Sequence, residues 1–555
     1  MNTTVALTGM IPAIALIAAA LTAPTSALLL WLYRRAVLRA MAQAAGGGAP
    51  STAANATLGG EPRPLGISVI GPGARANMPA PAQSAFRDVS RRLWRAALVY
   101  LLAGLAYAIV LATPWMVFAE GGFIPTRFLW LLLCYSWPIV LAVSLVAATS
   151  RRERLLVGGI YLAILACIGL WALVRNAELS AGQLGFFWLW ENVPGTVLLL
   201  AFLQRRVRAV GPLVLVFMVA GVTGAFLAIG LAGSSPALLR PIVAVGSFFG
   251  LGATTLFVLL HLIGFAAFGI LGWWGLGRIG RCYRAKRTSD QALTLDAMWL
   301  LFAVAQSIEF AFEGWAWIFT GLVGFAAYKL VVRAGYSLTA AGSSGSMLLL
   351  LRVFSLGHRS QRLLDALSKR WLRAGSIGLI AGPDLATATV EPHEFLEFVG
   401  GRLSRQFVQG EADLERRVAE MDRRPDPDGR HRVSEFFCHA DTWQMTMRRL
   451  AGECDAVLMD LRSFSPANQG CRYELEQLLA HVPLDRVVLV VDGSTDRAFL
   501  ERALRDLWQL VPADSPNRDL GQPEARLFEA RGESPAEIRT LLTLLFGASA
   551  LKTAA

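Results

Sequence analysis

The stretch Cys454-Asp-Ala-Val-Leu-Met-Asp460-Leu-Arg-Ser-Phe-Ser-Pro-Ala-Asn468-Gln-Gly-Cys471-Arg-Tyr-Glu474-Leu475 decides the fold of the C-terminal part of this chain. Ala456 to Asp460 is an apolar run of strand length. A polar loop, Leu461 to Asn468, follows, and helical spacing then runs to about Ala480. A short apolar run that ends in Asp and opens into a Ser/Pro/Asn loop is the strand-to-helix edge of an α/β sheet, where ligands sit. One carboxylate, Glu474, stands a turn or two into the helix.

The same grammar extends outward. Met347 to Phe354, Ser376 to Ala381, Arg432 to Cys438, Arg486 to Val491 and Ala525 to Glu529 read as further strands. Helical spacing is read over Ser360 to Ala374, Pro392 to Val408, 411–422, Thr442 to Gly452, 496–510 and 534–546. Strand and helix alternate, which predicts a doubly wound, mostly parallel sheet over residues 346–548. Its strand ends collect Arg352, Phe354, Ser355, Arg359, Asp384, Asp460, Arg462 and Asp492. No GxGxxG, GxxxxGK[ST] or GxSxG occurs on that rim, so no dinucleotide, P-loop or nucleophile-elbow fingerprint is present.

Upstream the chain is apolar in blocks. With 555 residues, 55% hydrophobic and 17% charged, and a mean hydropathy of +0.49, it is too greasy for one soluble domain. Nine blocks, near 8–32, 95–118, 126–149, 155–174, 185–203, 211–233, 241–275, 295–312 and 315–332, predict about nine membrane spans. Residues 1–40 form a signal-anchor span, 41–92 a flexible Ala/Gly/Pro/Ser-rich linker, and 93–335 the multi-span domain. Arg34-Arg35, Arg91 to Arg95, Arg151 to Arg154, Arg205 to Arg208 and Arg278 to Arg287 fall on one side if each block spans once. The positive-inside bias then puts the N-terminus outside, and the linker and C-terminal domain in the cytoplasm of an inner-membrane protein. The net charge of +12 is assigned to this topology, with the lipid bilayer as partner and no nucleic acid. The six cysteines show no metal spacing and read as reduced thiols.

Polar residues within the blocks are the membrane candidates: Glu191 beside Asn192, His261, Glu309, Glu313 and Lys329. Glu309 and Glu313 share a helix face, which suits a proton or cation site with Lys329 or His261 as partner. Snorkelling and interhelical bonding are the plainer account of the same residues.

At Ser463, Ser465 and Cys471-Arg-Tyr-Glu474-Leu475 the chain resembles the conserved helix of Toll/interleukin-1 receptor (TIR) domains. The same piece is similar to nucleoside 2-deoxyribosyltransferase-like proteins, whose strand-end Asp, loop Asn and Tyr-Glu pair match Asp460, Asn468, Tyr473 and Glu474. The resemblance implies a flavodoxin/TIR-like fold, attack at an N-glycosidic ribose carbon, Glu474 as the catalytic carboxylate, and NAD as substrate with no cofactor. It also implies homo-oligomers through the TIR-like domain. The chain departs from the TIR pattern at Gly470, where that family has Trp, and in the first strand, and 410–431 reads as an insertion.

One carboxylate suffices for such chemistry, because nicotinamide in NAD already carries a positive charge and leaves without a general acid. Arg352, Arg359 and Arg462 are candidates for the pyrophosphate, Phe354 or Trp443 for stacking on a base, and Ser355, Asp384 and Asn468 for further polar contacts. Two other functions fit the same sequence. One is a non-enzymatic adaptor that assembles through the domain; the other is a transporter or channel regulated by a nucleotide-binding domain.

Overall fold

The computed structural model describes residues 3–43, 64–71, 80–117, 122–148, 150–203, 210–234, 236–307, 310, 317–339, 345–353, 358–381, 392–421, 423–439, 441–532 and 534–554. The chain divides into two units. One is helical, made of residues 1–33, 96–338 and 390–399; the other carries the sheet, made of 34–95, 339–389 and 400–555.

In the helical unit, five described helices are long and apolar enough to cross a membrane: Ile17–Met41 of α1 (Thr3–Gln43), Ala82–Val117 of α2 (Ala80–Val117), α5 (Arg151–Arg175), Gly211–Gly233 of α7 (Gly211–Ser234) and α9 (Ala253–Arg284). The pair α3 (Pro125–Tyr135) and α4 (Trp137–Val146), bent by 40°, makes a sixth if counted as one span. Nine were expected. Of the remaining blocks, 185–203 falls in α6 (Ala181–Leu203). The block 241–275 is broken into α8 (Pro236–Phe248) and α9, because Gly250 takes φ +66° between them, a left-handed conformation that ends a helix. The last two blocks become α10 (Asp290–Ala305) and α11 (Thr320–Thr339). Gly224 of α7 meets Gly264 of α9 so closely that a Cβ on either would overlap the other's carbonyl oxygen, which lets those two backbones touch.

In the sheet unit, seven strands pair in parallel in the order β1-β7-β6-β5-β2-β3-β4. They are β1 (Gly66–Ile70), β2 (Ser346–Arg352), β3 (Gly375–Ala381), β4 (Val433–Phe437), β5 (Ala456–Asp460), β6 (Val487–Val491) and β7 (Glu524–Glu529). Counted from β2, the six C-terminal strands run 3-2-1-4-5-6, the order of dinucleotide-binding sheets rather than the 2-1-3-4-5 of flavodoxin-like ones. The order reverses between β2 and β5.

Both faces are covered, as an all-parallel sheet requires. Met347, Leu349, Leu351, Val457, Met459 and Leu489 pack against α15 (Trp443–Glu453), α16 (Gln469–His481) and α17 (Arg497–Gln509). On the other face Leu348, Leu350, Leu379, Leu458, Val488 and Val490 pack against α12 (His358–Trp371) and α18 (Pro535–Ala554). Ala82, Val89 and Leu93 at the start of α2 join that second cluster.

The linker expectation is therefore corrected where residues are described. Gly66–Ile70 is the edge strand, in register with Glu524–Phe528, and 80–92 is helix. The helix expected over Pro392 to Val408 stops earlier, as α13 (Pro392–Val399), because Gly401 takes φ +71°, and a 3-10 turn Leu403–Gln406 follows. α14 (Glu411–Glu420), in the segment read as an insertion, buries Leu414 and Val418 in the first face.

Residues 346–555 alone lack an edge strand and part of one face. By themselves they should be less stable than the same residues with 64–95 joined on, by roughly 3 kcal/mol or more for the lost burial of Val89 and Leu93. Denaturant midpoints of the two proteins measure this, and equal midpoints would contradict it.

Candidate functional site

The carboxyl ends of β2 and β5 bring four charged side chains to the point where the strand order reverses. Arg352 and Asp460 are register partners on the two strands. Arg352, Asp460, Arg462 and Glu474 are all at most 4% exposed. So much buried charge at one strand end needs local pairing.

Asp460 and Arg462 supply one pair. Arg462 grips the carboxylate in bidentate fashion, with Nε 2.8 Å from Oδ1 and Nη2 2.7 Å from Oδ2. Ser360 of α12 donates to Oδ2 at 3.0 Å, and Arg462 also donates to the Arg359 carbonyl at 3.1 Å. The loop after β5 is thereby tied to the start of α12. With its donors occupied in this way, Arg462 is a strut and not a free phosphate ligand.

Arg359 lies nearer the surface. It pairs with Asp492 at the end of β6 and approaches Ser463 (3.5 Å) and Ser494 (3.4 Å), whose hydroxyls are 2.9 Å apart. Ser463 has φ +61°, strained for a residue with a Cβ. Burial opposes the charge on Asp492, but the hydrogen bonds from Ser494 and the Arg359 guanidinium outweigh it and hold the carboxyl below its ordinary range.

Glu474 differs from all of these. Its carboxyl is buried on α16, and Oε2 has no hydrogen-bond partner among the described residues. Burial pushes its pKa up from 4.5 to about 8, only partly offset by the positive charge of Arg352. One turn earlier the Cys471 thiol lies 3.8 Å from the Arg352 carbonyl, and burial together with Glu474 raises its pKa. A carboxyl kept protonated and under-bonded beside a strand end is a group with bonding capacity left for a donor or a positive charge.

The other expected residues do not converge on it. Asn468 folds back on its own loop and accepts from the Ser465 amide (2.9 Å) and hydroxyl (3.1 Å). Tyr473 turns toward α15, where its hydroxyl accepts from Arg448 at 2.8 Å and its ring meets Trp443 edge-on. That contact also occupies Trp443. Phe354, Ser355 and Asp384 lie outside the described residues, as do Glu309 and Glu313. The sequence reading missed Ser360 and Ser494 as members of the rim network, and named Ser463 only through the family resemblance. Their clustering with Asp and Arg at strand ends was the available signal.

In the helical unit Glu191 is 3% exposed and Asn192 1% exposed. Asn192 donates to the Cys134 and Trp188 carbonyls and accepts from Gln306, which in turn accepts from the Tyr107 hydroxyl at 2.8 Å. Lys329 pairs with Asp296 at 2.6 Å, a carboxylate inside the 295–312 block that was not singled out. His261 bonds the Phe257 carbonyl of its own helix and stacks edge-on with Phe257 and Phe226, which is packing chemistry. Among the described residues no group of three His, Cys, Asp or Glu side chains could hold a metal ion.

Comparison with family models, with curated proteins and with solved structures finds no match to this chain.

Two outcomes follow from the buried charges. The folded chain keeps a proton on Glu474 that the unfolded chain releases near pH 4.5. The stability this group contributes is complete below pH 4.5 and is lost as pH rises through about 8, at about 1.4 kcal/mol per unit. Glu474→Gln should remove that slope, read from unfolding midpoints between pH 5 and 8. Arg462→Met should cost about 3–5 kcal/mol by stranding the Asp460 carboxylate, and adding Asp460→Asn should recover part of it.

Proposed function

We propose that this chain is a membrane-anchored effector whose sheet unit cleaves the N-glycosidic bond of NAD or a related nucleotide, with Glu474 as the catalytic carboxylate. The observation that carries the reading is the Glu474 carboxyl, buried and with one oxygen unpartnered, at the reversal of strand order. The resemblance of Cys471-Arg-Tyr-Glu474-Leu475 to TIR and deoxyribosyltransferase-like proteins supports it.

The chemistry fits that carboxyl. In the free protein Glu474 holds its proton. A pyridinium ribonucleotide brings a positive charge, which draws the pKa down and leaves a carboxylate facing the ribose. As the C1′–N bond breaks, the electron pair leaves with the nicotinamide and the sugar becomes oxocarbenium-like. The carboxylate stabilises that charge; water adds to C1′ and releases a proton. Arg352 is the buried cation nearest this event.

The helical unit, with nine spans and its basic ends in the cytoplasm, would place the sheet unit on the inner face of the plasma membrane. It would restrain the activity until copies assemble through their TIR-like units. The order 3-2-1-4-5-6 also suits a domain that binds a nucleotide without turnover, which is the second reading.

The test is nicotinamide release from NAD by the purified full chain in detergent or nanodiscs. Wild type should turn over, with kcat/KM rising about tenfold per pH unit toward pH 8 and then levelling. Glu474→Gln should lose at least a hundredfold while unfolding at the wild-type midpoint at pH 5, where both side chains are neutral in the folded chain. Nucleotide binding without turnover would favour the second reading, and equal turnover by both proteins would remove Glu474 from the mechanism.

A further inference from the structure

The C-terminal end of α9 carries three arginines that no described carboxylate pairs. From Ala253 to Ser289 the sequence has no Asp or Glu, yet Arg278, Arg281, Arg284, Lys286 and Arg287 fall within ten residues. The four arginines are exposed. Arg284 has Glu397 of α13 at 3.5 Å. Among the described residues, no carboxylate lies within ion-pair distance of Arg278, Arg281 or Arg287. Two of the other basic clusters contain their own acid: Glu153 stands among Arg151, Arg152 and Arg154, and Asp88 lies 3.5 Å from Arg91.

Length fixes where this charge sits. Ala253 to Trp274 is 22 residues, about 32 Å of helix, which matches a hydrocarbon core of roughly 30 Å. Trp273 and Trp274 close that stretch and are 49% and 62% exposed, as side chains at the headgroup boundary are. Arg278 follows about 6 Å farther along the axis, at the depth of lipid phosphates. The helix dipole favours cations in the last turn, which accounts for Arg281 and Arg284. Arg278 lies above that turn and Arg287 beyond the helix end.

We propose that the exposed arginines at the end of α9 form a binding site for the headgroups of anionic phospholipids. The guanidinium groups match phosphate oxygens in geometry and charge, and the tryptophan pair holds the acyl chains alongside. The site rests on the helix alone and holds whichever side of the membrane it faces.

The test titrates the full chain in detergent with phosphatidylglycerol or phosphatidylcholine and counts retained lipid by native mass spectrometry. Wild type should retain phosphatidylglycerol at a more than tenfold lower concentration than phosphatidylcholine. The triple change Arg278→Gln, Arg281→Gln, Arg287→Gln should bring the two lipids within twofold. Arg472→Gln, Arg505→Gln, Arg531→Gln, of the same charge on the sheet unit, should leave the margin intact. A margin absent in wild type, kept by the first triple, or lost equally by the second overturns the proposal. Loss of the margin in inorganic phosphate, but not in chloride of equal ionic strength, would assign a free-anion site instead and overturn it too. A measurement that does not depend on the folding of the arginine variant uses brominated lipids in nanodiscs. Tryptophan quenching by brominated phosphatidylglycerol should exceed that by brominated phosphatidylcholine, and Trp273→Phe/Trp274→Phe should remove the excess. An excess that survives that change sinks the assignment.

Discussion

The parallel pairing of β2 with β5, from Leu348 against Ala456 to Arg352 against Asp460, is the constraint on which the sheet unit depends. These two strands lie at the centre of the sheet, and from Met347 and Ala456 onward each is apolar up to its last residue. The ladder ends where the charges begin. At that edge the backbone ladder closes with Val353 N–H on the Asp460 carbonyl, and Ser360 of α12 and Arg462 of the following loop satisfy the Asp460 carboxylate. The same edge leaves Glu474 under-bonded. One network is satisfied and closed; the other is not. That contrast separates a structural ion pair from a group with unspent bonding capacity.

A parallel sheet buried on both sides needs more cover than its own crossovers supply. Here the extra cover comes from residues before the multi-span segment. β1 extends the sheet beyond β7, and Ala82, Val89 and Leu93 fill the face beside α12 and α18. The opposite edge, at β4, is met by a single bridge from Phe407, with the ring of that residue stacked on His439. Edges finished this way offer little template for further strand pairing.

The six C-terminal strands are legible in the sequence, the four central ones because two-sided burial writes each as a mostly apolar run, β4 and β7 as shorter apolar stretches broken by charge, and their bounds agree to within about two residues. Gly66-Ile-Ser-Val-Ile70 is not legible as a strand. It is five residues long, half exposed, set in Gly/Pro-rich surroundings, and its partner lies more than 450 positions away. Strand order is likewise absent from local pattern, so the resemblance suggested a flavodoxin-like arrangement where the sheet runs 3-2-1-4-5-6 from β2. Within the site, Glu474 could be placed on its helix by spacing, but its grouping with Tyr473 could not hold. Adjacent helical residues point about 100° apart, which sends Tyr473 to Trp443 and Glu474 into the core.

The polar residues of the helical unit make a parallel case. In hydrocarbon every backbone group must find an internal partner. At the bend between α3 and α4 Pro138 has no N–H to give the Cys134 carbonyl, and the Leu133 carbonyl accepts from the Ser136 amide and hydroxyl. Tyr161 donates to the Leu133 carbonyl at 2.8 Å and Asn192 to that of Cys134 at 3.0 Å. Gln306 and Tyr107 then complete the bonding of Asn192. Of the polar residues singled out in the sequence, Asn192 is thus engaged in repairing a helix break, and Lys329 is engaged with Asp296; Glu309 and Glu313 lie outside the described residues. Such bonding fixes helix positions. In the sheet unit the buried Glu474 carboxyl keeps one oxygen without a hydrogen-bond partner among the described residues, and the chemistry proposed for this chain rests on that group.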